Sequence, residues 1–273
     1  MLSIRKTDSG LEIVPGLRVP AVYLDYGLIA DVVGTERGEN LREQICAKGT
    51  LYLSWAHLLE YFALGSGRTF KRILNYLNGF GPHFAILDAN AAMVVKRENE
   101  WTFGRQNPAL DEDFLRLLAA HWDGQSELSI GILVEAMGSE NGFFDGVKAI
   151  HSGHKENVKS LFDQQRQNYK ANKLVRRQLN AAAYGIKRPW ITETVMLELI
   201  RECVRTHEEF RPTDALDFHH AAVSISYCNY VVPDKKWARR CRALKLPKSE
   251  TATVFDGTQI DELLTALQQT SRN

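Results

Sequence analysis

The chain has 273 residues, of which 44% are hydrophobic and 25% charged, and its formal net charge is +1. This composition suits a globular protein with a sizeable core and excludes disordered and fibrous chains. The near-neutral charge also excludes the strong positive field of a protein that coats duplex nucleic acid, so any nucleic-acid site must be local.

The amino terminus and the cysteines indicate where the protein resides. Residues 1–20 lack the uninterrupted apolar stretch of a secretory signal, and no run approaches the roughly 18 apolar residues of a membrane span. The four cysteines show no Cys-x-x-Cys spacing, which disfavours a zinc ribbon and a redox dithiol. We therefore expect a cytoplasmic protein that does not associate with membranes.

The amino-terminal third predicts short strands and helices. Strands are predicted at residues 21–24 and 84–87, and helices at residues 40–47 and 54–64. The first strand is apolar and stops at Asp25, which is typical of a buried parallel strand. Ser54 is a predicted N-cap for the second helix, which carries Glu60.

Helical patterns dominate the middle of the chain, and the carboxyl-terminal third returns to alternation. Helices are predicted at residues 111–122, 129–137, 156–183, 192–210, 214–227 and 259–269, and strands at residues 230–232 and 251–255. Strands that alternate with helices predict an α/β fold with a mostly parallel sheet and helices on both faces. We interpret residues 1–273 as a single domain in which residues 90–205 form a largely helical insertion or cap.

Two strands and two helices each carry an acid that could belong to one site. Asp25 and Asp234 directly follow predicted strands, and the carboxyl ends of parallel strands meet at the edge where ligands bind. Glu60 and Asp217 lie among apolar residues of predicted helices, where an unpaired carboxylate is costly. A Mg²⁺ or Mn²⁺ ion, which prefers oxygen ligands, would pair with these acids. Such an ion activates water and neutralises charge on a phosphodiester, so hydrolysis of that bond is the predicted chemistry.

The segments around these acids resemble the PIN-domain nucleases. The matching segments are VYLD ending at Asp25, SWAHLLE ending at Glu60, DFHHAA beginning at Asp217 and YCNYVVPD ending at Asp234. The resemblance implies a three-layer α/β/α sandwich and a Mg²⁺- or Mn²⁺-dependent ribonuclease with these four acids as catalytic and metal-binding residues, as in the toxins of toxin–antitoxin pairs and in RNA-processing enzymes. It covers the two ends of the chain and leaves residues 90–205 unmatched.

Two further residues qualify this resemblance. Asp214 lies three positions before Asp217 and would be an accessory acid on the same helix face. Pro233 stands where the family usually has a hydroxyl residue, so a polar contact beside Asp234 is missing. This departure would weaken metal binding or activity.

Two groups of basic residues are predicted to contact nucleic acid. They are Lys235, Lys236, Arg239 and Arg240, which follow Asp234, and Lys173, Arg176 and Arg177, which lie in a basic segment with interleaved aromatic residues. Basic side chains bind phosphates and aromatic rings stack on unpaired bases, so RNA is the predicted partner. A solvated helix face is an equally good interpretation of the second group. The sequence leaves open an inhibitory protein partner, and the helical middle could be a lid, a homodimer surface or a specificity element.

Several of these residues also have a purely structural interpretation. Asp25 could cap the turn after its strand, and Asp217 could lie in the first turn of a helix that Asp214 caps. Glu60 could form a salt bridge with Arg68 or Lys71. The neighbouring His219 and His220 lack the accompanying Cys or His residues of a zinc site.

Two other functions compete with the nuclease. One is a catalytically decayed PIN-like module that binds nucleic acid or protein, as the departure at Pro233 indicates. The other is a phosphatase of the haloacid-dehalogenase type, which is disfavoured because Gly27 stands where a second Asp is needed. Asp88 also follows a predicted strand, but we expect it to start a loop.

Overall fold

The computed structural model has a five-stranded parallel sheet at its centre. It describes residues 2–7, 10–54, 57–58, 60–61, 67–100, 107–125, 127–139, 143–180, 191–206 and 208–270. The strands are β1 (Leu2–Thr7), β2 (Gly10–Pro15), β3 (Ala21–Leu24), β4 (Thr50–Ser54), β5 (Phe84–Leu87), β6 (Tyr230–Val232) and β7 (Thr253–Val254). The central order is β5-β4-β3-β6-β7, with all neighbours parallel, whereas β1 and β2 form a separate antiparallel pair. The predicted α/β class with a parallel sheet is therefore confirmed.

Strands β3, β4 and β5 are buried along their whole length. Helices cover parallel sheets on both faces, so such strands must be continuous apolar runs, and this rule predicts β3, β5 and β6 from the sequence. It does not predict β4, because Thr50 and Ser54 bound an apolar run of only LYL. The predicted N-cap at Ser54 is wrong, since this residue closes a strand.

The helices surround this sheet. They are α1 (Tyr26–Val32), α2 (Glu36–Lys48), α3 (Arg68–Asn78), α4 (Ala91–Asn99), α5 (Glu112–His121), α6 (Ile130–Ser139), α7 (Phe143–Ala171), α8 (Lys173–Asn180), α9 (Ile191–Arg205), α10 (Asp214–Tyr227), α11 (Lys235–Arg242) and α12 (Ile260–Gln269). In one group α2 contacts both α1 and α12, and a second group is centred on α9 and α10. Two helical groups and one parallel sheet are consistent with a three-layer sandwich. Within the described ranges, no helix is both long enough and apolar enough to span a membrane.

Four helices arise in segments whose sequences do not predict them. They are α1, α3, α4 and α11. The first contains Gly27, and the last is the basic run after Asp234, in which charged residues predominate. In both cases an Asp that ends a strand caps the helix through its side chain, which supplies the missing local signal.

The helices between residues 90 and 205 share the hydrophobic core with the sheet. Phe162 of α7 stacks on Phe210 with 3.9 Å between ring centroids, and it meets Phe218 of α10 edge-on at 5.2 Å. Leu118 of α5 and Leu133 of α6 are fully buried in the same core. This region therefore packs against the helix that carries Asp217.

The close approach of α2 to α1 predicts a stability effect at Gly38. A Cβ atom there would lie 2.2 Å from the Val32 carbonyl oxygen, whereas a Cβ atom on the exposed Gly153 would meet nothing within 4 Å. We expect Gly38→Ala to lower the free energy of unfolding by about 1–3 kcal/mol. Gly153→Ala should leave it unchanged or raise it by up to about 1 kcal/mol. Urea unfolding measures both, and equal stabilities would contradict this packing.

Candidate functional site

The two strand-end acids lie next to each other at the carboxyl edge of the sheet. Strand β3 pairs with β6 so that Leu24 is opposite Val232, and the Asp25 N–H donates to the Val232 carbonyl at 2.9 Å. Asp25 follows β3 directly, and Asp234 follows β6 after a single proline. The parallel register therefore brings these two predicted residues together.

Both strand-end acids also cap the helix that follows them. Asp25 Oδ2 accepts from the Gly27 N–H at 3.1 Å, and Asp234 Oδ1 accepts from the Trp237 N–H at 2.7 Å. The structural interpretation of Asp25 is thus confirmed. Each cap engages one oxygen of its carboxylate, and it fixes the rotamer in which the carboxylate faces the sheet edge.

Asp217 adds a third carboxylate at this edge from the first turn of α10. A small cavity is lined by Tyr23, Asp25, Asp217, His220, Ala221, Pro233, Asp234 and Trp237. The volume that the centre of a water molecule can occupy in it is about 10 Å³, so the cavity has room for about one water molecule. A wider cleft of about 530 Å³ opens beside it and shares Asp25, Pro233 and Asp234 with it.

Glu60 and Asp234 are exposed, in contrast to the half-buried Asp25 and Asp217. The Glu60 side chain reaches solvent, yet its carboxyl group is partly desolvated, and this burial together with the charge of Asp25 raises its pKa to about 7. The ammonium group of Lys155 on α7 acts in the opposite direction and lowers the pKa of Glu60. The helical middle of the chain therefore brings a cation near the site. The sequence gives no reason to single out Lys155 within its basic segment.

The carboxylates act on one another electrostatically. Burial raises the pKa of Asp25 to about 6, the charge of Asp234 adds to this rise, and the hydrogen bond from Gly27 opposes it. Burial also raises the pKa of Asp217 well above its ordinary value, and the charges of Asp25, Asp234 and Glu60 raise it further. The site is a coupled cluster of acids in which full ionisation is unfavourable.

The donor set of this cluster fits a hard divalent cation. In the part of the chain that the structure describes, no three His, Cys, Asp or Glu side chains already stand in positions that would hold a metal ion. The donors are nevertheless carboxylate oxygens that raise each other's pKa, and a bound cation would offset their repulsion. Holding an ion would require these side chains to turn toward one another.

Tyr23 is a residue of this cavity that sequence reasoning misses. Its ring is 1% exposed, and its hydroxyl has no hydrogen-bond partner among the described residues. Burial raises the pKa of this phenol, and the charges of Asp25 and Asp217 raise it further, so the hydroxyl remains a protonated donor beside these carboxylates. An orphaned buried donor in a cavity of this size indicates an occupant with oxygen atoms, such as water.

Asp214 is already engaged by protein groups. It is 5% exposed, its Oδ1 pairs with Lys236 Nζ at 2.5 Å, and its Oδ2 accepts from the Arg211 N–H at 2.7 Å. Its charge still contributes to the raised pKa of Asp217. Asp214 therefore acts on the cluster at a distance, and both its oxygens already have partners.

Most of the basic run after Asp234 is paired with acids. Besides Lys236, the side chains of Arg239 and Arg240 pair with Glu208. Arg240 is 1% exposed and lies against the Trp237 ring, with 4.8 Å from its guanidinium carbon to the ring centroid. Arg240 is thus part of the core and offers no surface to a substrate, in contrast to the expectation from sequence.

The remaining predicted basic residues are exposed. Lys235 lines the wide cleft together with Asp25 and Asp234. On α8, Lys173, Arg176 and Arg177 are all exposed. Arg176 Nη2 donates to the Lys170 carbonyl at 2.7 Å at the end of α7, which gives Arg176 a structural contact as well. Among the basic residues of the two predicted groups, Lys235 is therefore the exposed one that lies beside the acids.

A buried hydrogen-bonded network of Ser54, His57 and His220 lies under the cavity. Ser54 Oγ is 2.9 Å from His57 Nδ1 and 2.9 Å from His220 Nε2, and the Ser54 N–H donates to His57 Nδ1 at 3.1 Å. His57 Nε2 is 2.9 Å from the carbonyl oxygen of Leu24. The two imidazole rings stack with 5.6 Å between centroids. The Ala91 N–H also donates to His219 Nδ1 at 3.3 Å, so all three histidines make hydrogen bonds with protein groups.

Comparison of the chain with models of protein families, with curated proteins and with solved structures finds no match. The resemblance to PIN-domain nucleases therefore stays a prediction from the sequence.

The raised pKa of Asp217 predicts how stability depends on pH. Because the folded state holds this proton more tightly than the unfolded chain, the ionised form destabilises the fold. The destabilisation is absent below the unfolded pKa of about 3.9 and grows as pH rises through the folded pKa. In metal-free buffer we expect Asp217→Asn to be more stable than the wild type by about 1–2 kcal/mol at pH 8, and by less at pH 5.

Urea unfolding in the presence of a chelator at both pH values measures this effect. Asp88→Asn is the matched control, because Asp88 also ends a strand but pairs with Arg97. This variant should lose stability at both pH values. A stability difference between Asp217→Asn and the wild type that does not change with pH would contradict the coupling of the acids.

Proposed function

We propose that this protein is a Mg²⁺- or Mn²⁺-dependent endonuclease that hydrolyses phosphodiester bonds of RNA. The observation that carries the proposal is the group of four carboxylates, Asp25, Glu60, Asp217 and Asp234, which interact electrostatically at the carboxyl edge of a parallel sheet beside an open cleft. Clusters of mutually repelling acids are typical of functional sites. Such a cluster weakens the fold that contains it, so its presence points to a role other than stability.

The four acids would hold the cation, with Asp25, Asp217 and Asp234 around the small cavity and Glu60 close enough to interact electrostatically with Asp25. When bound, the ion would supply an activated water and would neutralise the charge that develops on the phosphate. The small cavity has room for about one water molecule beside these acids. The Tyr23 hydroxyl is the donor that would orient this water.

The surroundings of the acids suit a phosphodiester backbone. Lys235 on one side of the cleft and Lys155 near Glu60 place cations close to the carboxylates, where they would contact phosphate oxygens. The choice of RNA rests on the PIN-like order of the four acid segments. Cleavage inside a strand rests on the same resemblance.

Loss of a single carboxylate should abolish cleavage. We expect the wild type to cleave single-stranded RNA with Mg²⁺ or Mn²⁺ and to be inactive with a chelator. Asp217→Asn removes a charge from the cluster without changing its shape, so kcat should fall by at least about 100-fold. The control Asp88→Asn removes the other strand-end acid, whose partner is Arg97, and should keep wild-type kcat. Gel assays of labelled RNA measure both, and equal kcat in the wild type and Asp217→Asn would refute the proposed function.

The second candidate function is a non-catalytic module that binds nucleic acid or protein. Two observations favour it: the described residues contain no ready-made metal site, and Pro233 provides no hydroxyl beside Asp234. This candidate predicts RNA binding without cleavage. Calorimetric titration with Mn²⁺ separates the two functions, because only the nuclease requires a metal site that Asp217→Asn weakens.

Substrate binding should depend on Lys235 more than on the paired arginines. Lys235→Ala removes an exposed charge from the cleft, so the KM for RNA should rise about threefold or more at constant kcat, and the salt dependence of binding should fall by about one unit in slope. Arg239→Ala should have a much smaller effect, because Arg239 is paired with Glu208. Fluorescence anisotropy over a salt series measures both, and equal effects would remove Lys235 from the binding surface.

A further inference from the structure

The network of Ser54, His57 and His220 occupies a place in the core where apolar side chains would be expected. The three residues are 0%, 1% and 8% exposed. Burying polar groups destabilises a fold unless every group is hydrogen-bonded, and a connected network constrains its members to one arrangement. The network therefore fixes the relative positions of the elements that carry its members.

One contact determines which nitrogen of His57 carries the proton. His57 Nδ1 accepts the hydrogen bond from the Ser54 N–H, so this nitrogen carries no proton and Nε2 does. The His57 Nε2–H then donates to the Leu24 carbonyl. The Ser54 hydroxyl lies 2.9 Å from both His57 Nδ1 and His220 Nε2, so it links the two imidazole rings. The chain of hydrogen bonds runs from His220 through Ser54 to His57, and from His57 to the backbone of β3.

Each end of this chain is covalently close to a carboxylate of the cluster. The Leu24 carbonyl belongs to the peptide bond that leads into Asp25. His57 precedes Glu60 by three positions in a helical segment, and His220 follows Asp217 by three positions in α10. Residues three apart lie on the same face of a helix. The network thus connects the three elements that carry Asp25, Glu60 and Asp217.

These elements need such a connection because their acids repel one another. The charges of Asp25 and Glu60 raise the pKa of Asp217, and Asp25 does the same to Glu60. Repulsion of this kind pushes the carboxylates apart, and only fixed backbone and side-chain contacts oppose it. Ser54 ends β4, between β3 and β5 in the sheet, so it anchors the network to the most buried part of the fold.

We propose that Ser54, His57 and His220 are positioning residues, which fix the elements that carry Asp25, Glu60 and Asp217 so that side-chain rotation alone brings these carboxylates onto a divalent cation. The inference rests on the proposed function for its catalytic consequence. Its geometric content, the fixed relative positions of the elements that carry the carboxylates, stands on the hydrogen bonds alone. Removal of the network should loosen the metal site more than it loosens the fold.

The first experiment removes the bridging hydroxyl. In Ser54→Ala, the affinity for Mn²⁺ and kcat should each fall about 10–100-fold, as for other residues that orient metal ligands, while the KM for RNA stays unchanged. Tyr227→Phe is the control, because it removes a partly buried hydrogen bond of 2.6 Å to Glu98 at the end of α10 far from Asp217. It should lower thermal stability by a similar amount and leave Mn²⁺ affinity at the wild-type value. Equal Mn²⁺ affinities in Ser54→Ala and Tyr227→Phe would overturn the proposal.

The second experiment separates the two bonds of His57. In His57→Gln the terminal amide can still donate to the Leu24 carbonyl, whereas in His57→Asn the shorter side chain retains an acceptor for Ser54 and loses that donor. If the bond to Leu24 positions Asp25, His57→Gln should keep Mn²⁺ affinity within about threefold of the wild type and His57→Asn should not. The reverse order would overturn the assignment of His57.

A third measurement keeps the two proposals apart. If the wild type neither binds Mn²⁺ nor cleaves RNA, the proposed function fails, and the positioning role is judged from crystal structures of the wild type, Ser54→Ala and Tyr227→Phe. The distance between the Asp25 and Asp217 carboxylates should change in Ser54→Ala and stay constant in Tyr227→Phe. An unchanged distance in Ser54→Ala would overturn the positioning role whatever the protein binds.

Discussion

The parallel pairing of β3 with β6 is the contact on which the candidate site depends. It joins segments of the chain that are 208 positions apart where the Ala21 N–H donates to the Asn229 side chain at 2.8 Å. The pairing sets Asp25 beside Asp234, and α10, which leads into β6, brings Asp217 to the same edge. Because no local segment contains the site, the acids come together only when the whole sheet has formed.

The acids at this edge act against the stability that the sheet provides. Burial and mutual charge raise the pKa of Asp25 and Asp217, which means that the ionised cluster is disfavoured in the folded state. The fold tolerates this because fully buried strands and a satisfied polar network surround the cluster. A core of the same shape without these acids would be more stable, and this is the physical reason for treating the cluster as functional.

The sequence predicts an element well where the spacing of apolar residues within the segment defines it. It predicts poorly those features that depend on a contact with a distant part of the chain. The bounds of α10 and β6 follow directly from apolar spacing, as do β3 and β5. Helices α1 and α11 begin directly after Asp25 and Asp234, whose side chains cap them. The sequence predicts these residues as acids of a site and does not predict the helices that they cap. The pairing of Arg239 and Arg240 with Glu208 is invisible in the sequence, because about thirty positions separate the partners, 31 and 32 in the two cases. The Ser54–His220 contact spans 166 positions and has no local signal.

The hydroxyl group that is missing at Pro233 has a counterpart on another strand of the sheet. Pro233 removes both a hydroxyl and an N–H donor from the segment before Asp234, and it lines the cavity as a buried apolar wall. The cavity still contains a hydroxyl, that of Tyr23, which comes from β3 and is held between β4 and β6. A donor on a central strand moves less than one on a turn, so its direction is better defined. The loss of the local hydroxyl at Pro233 therefore leaves a buried, rigid donor beside the same carboxylates.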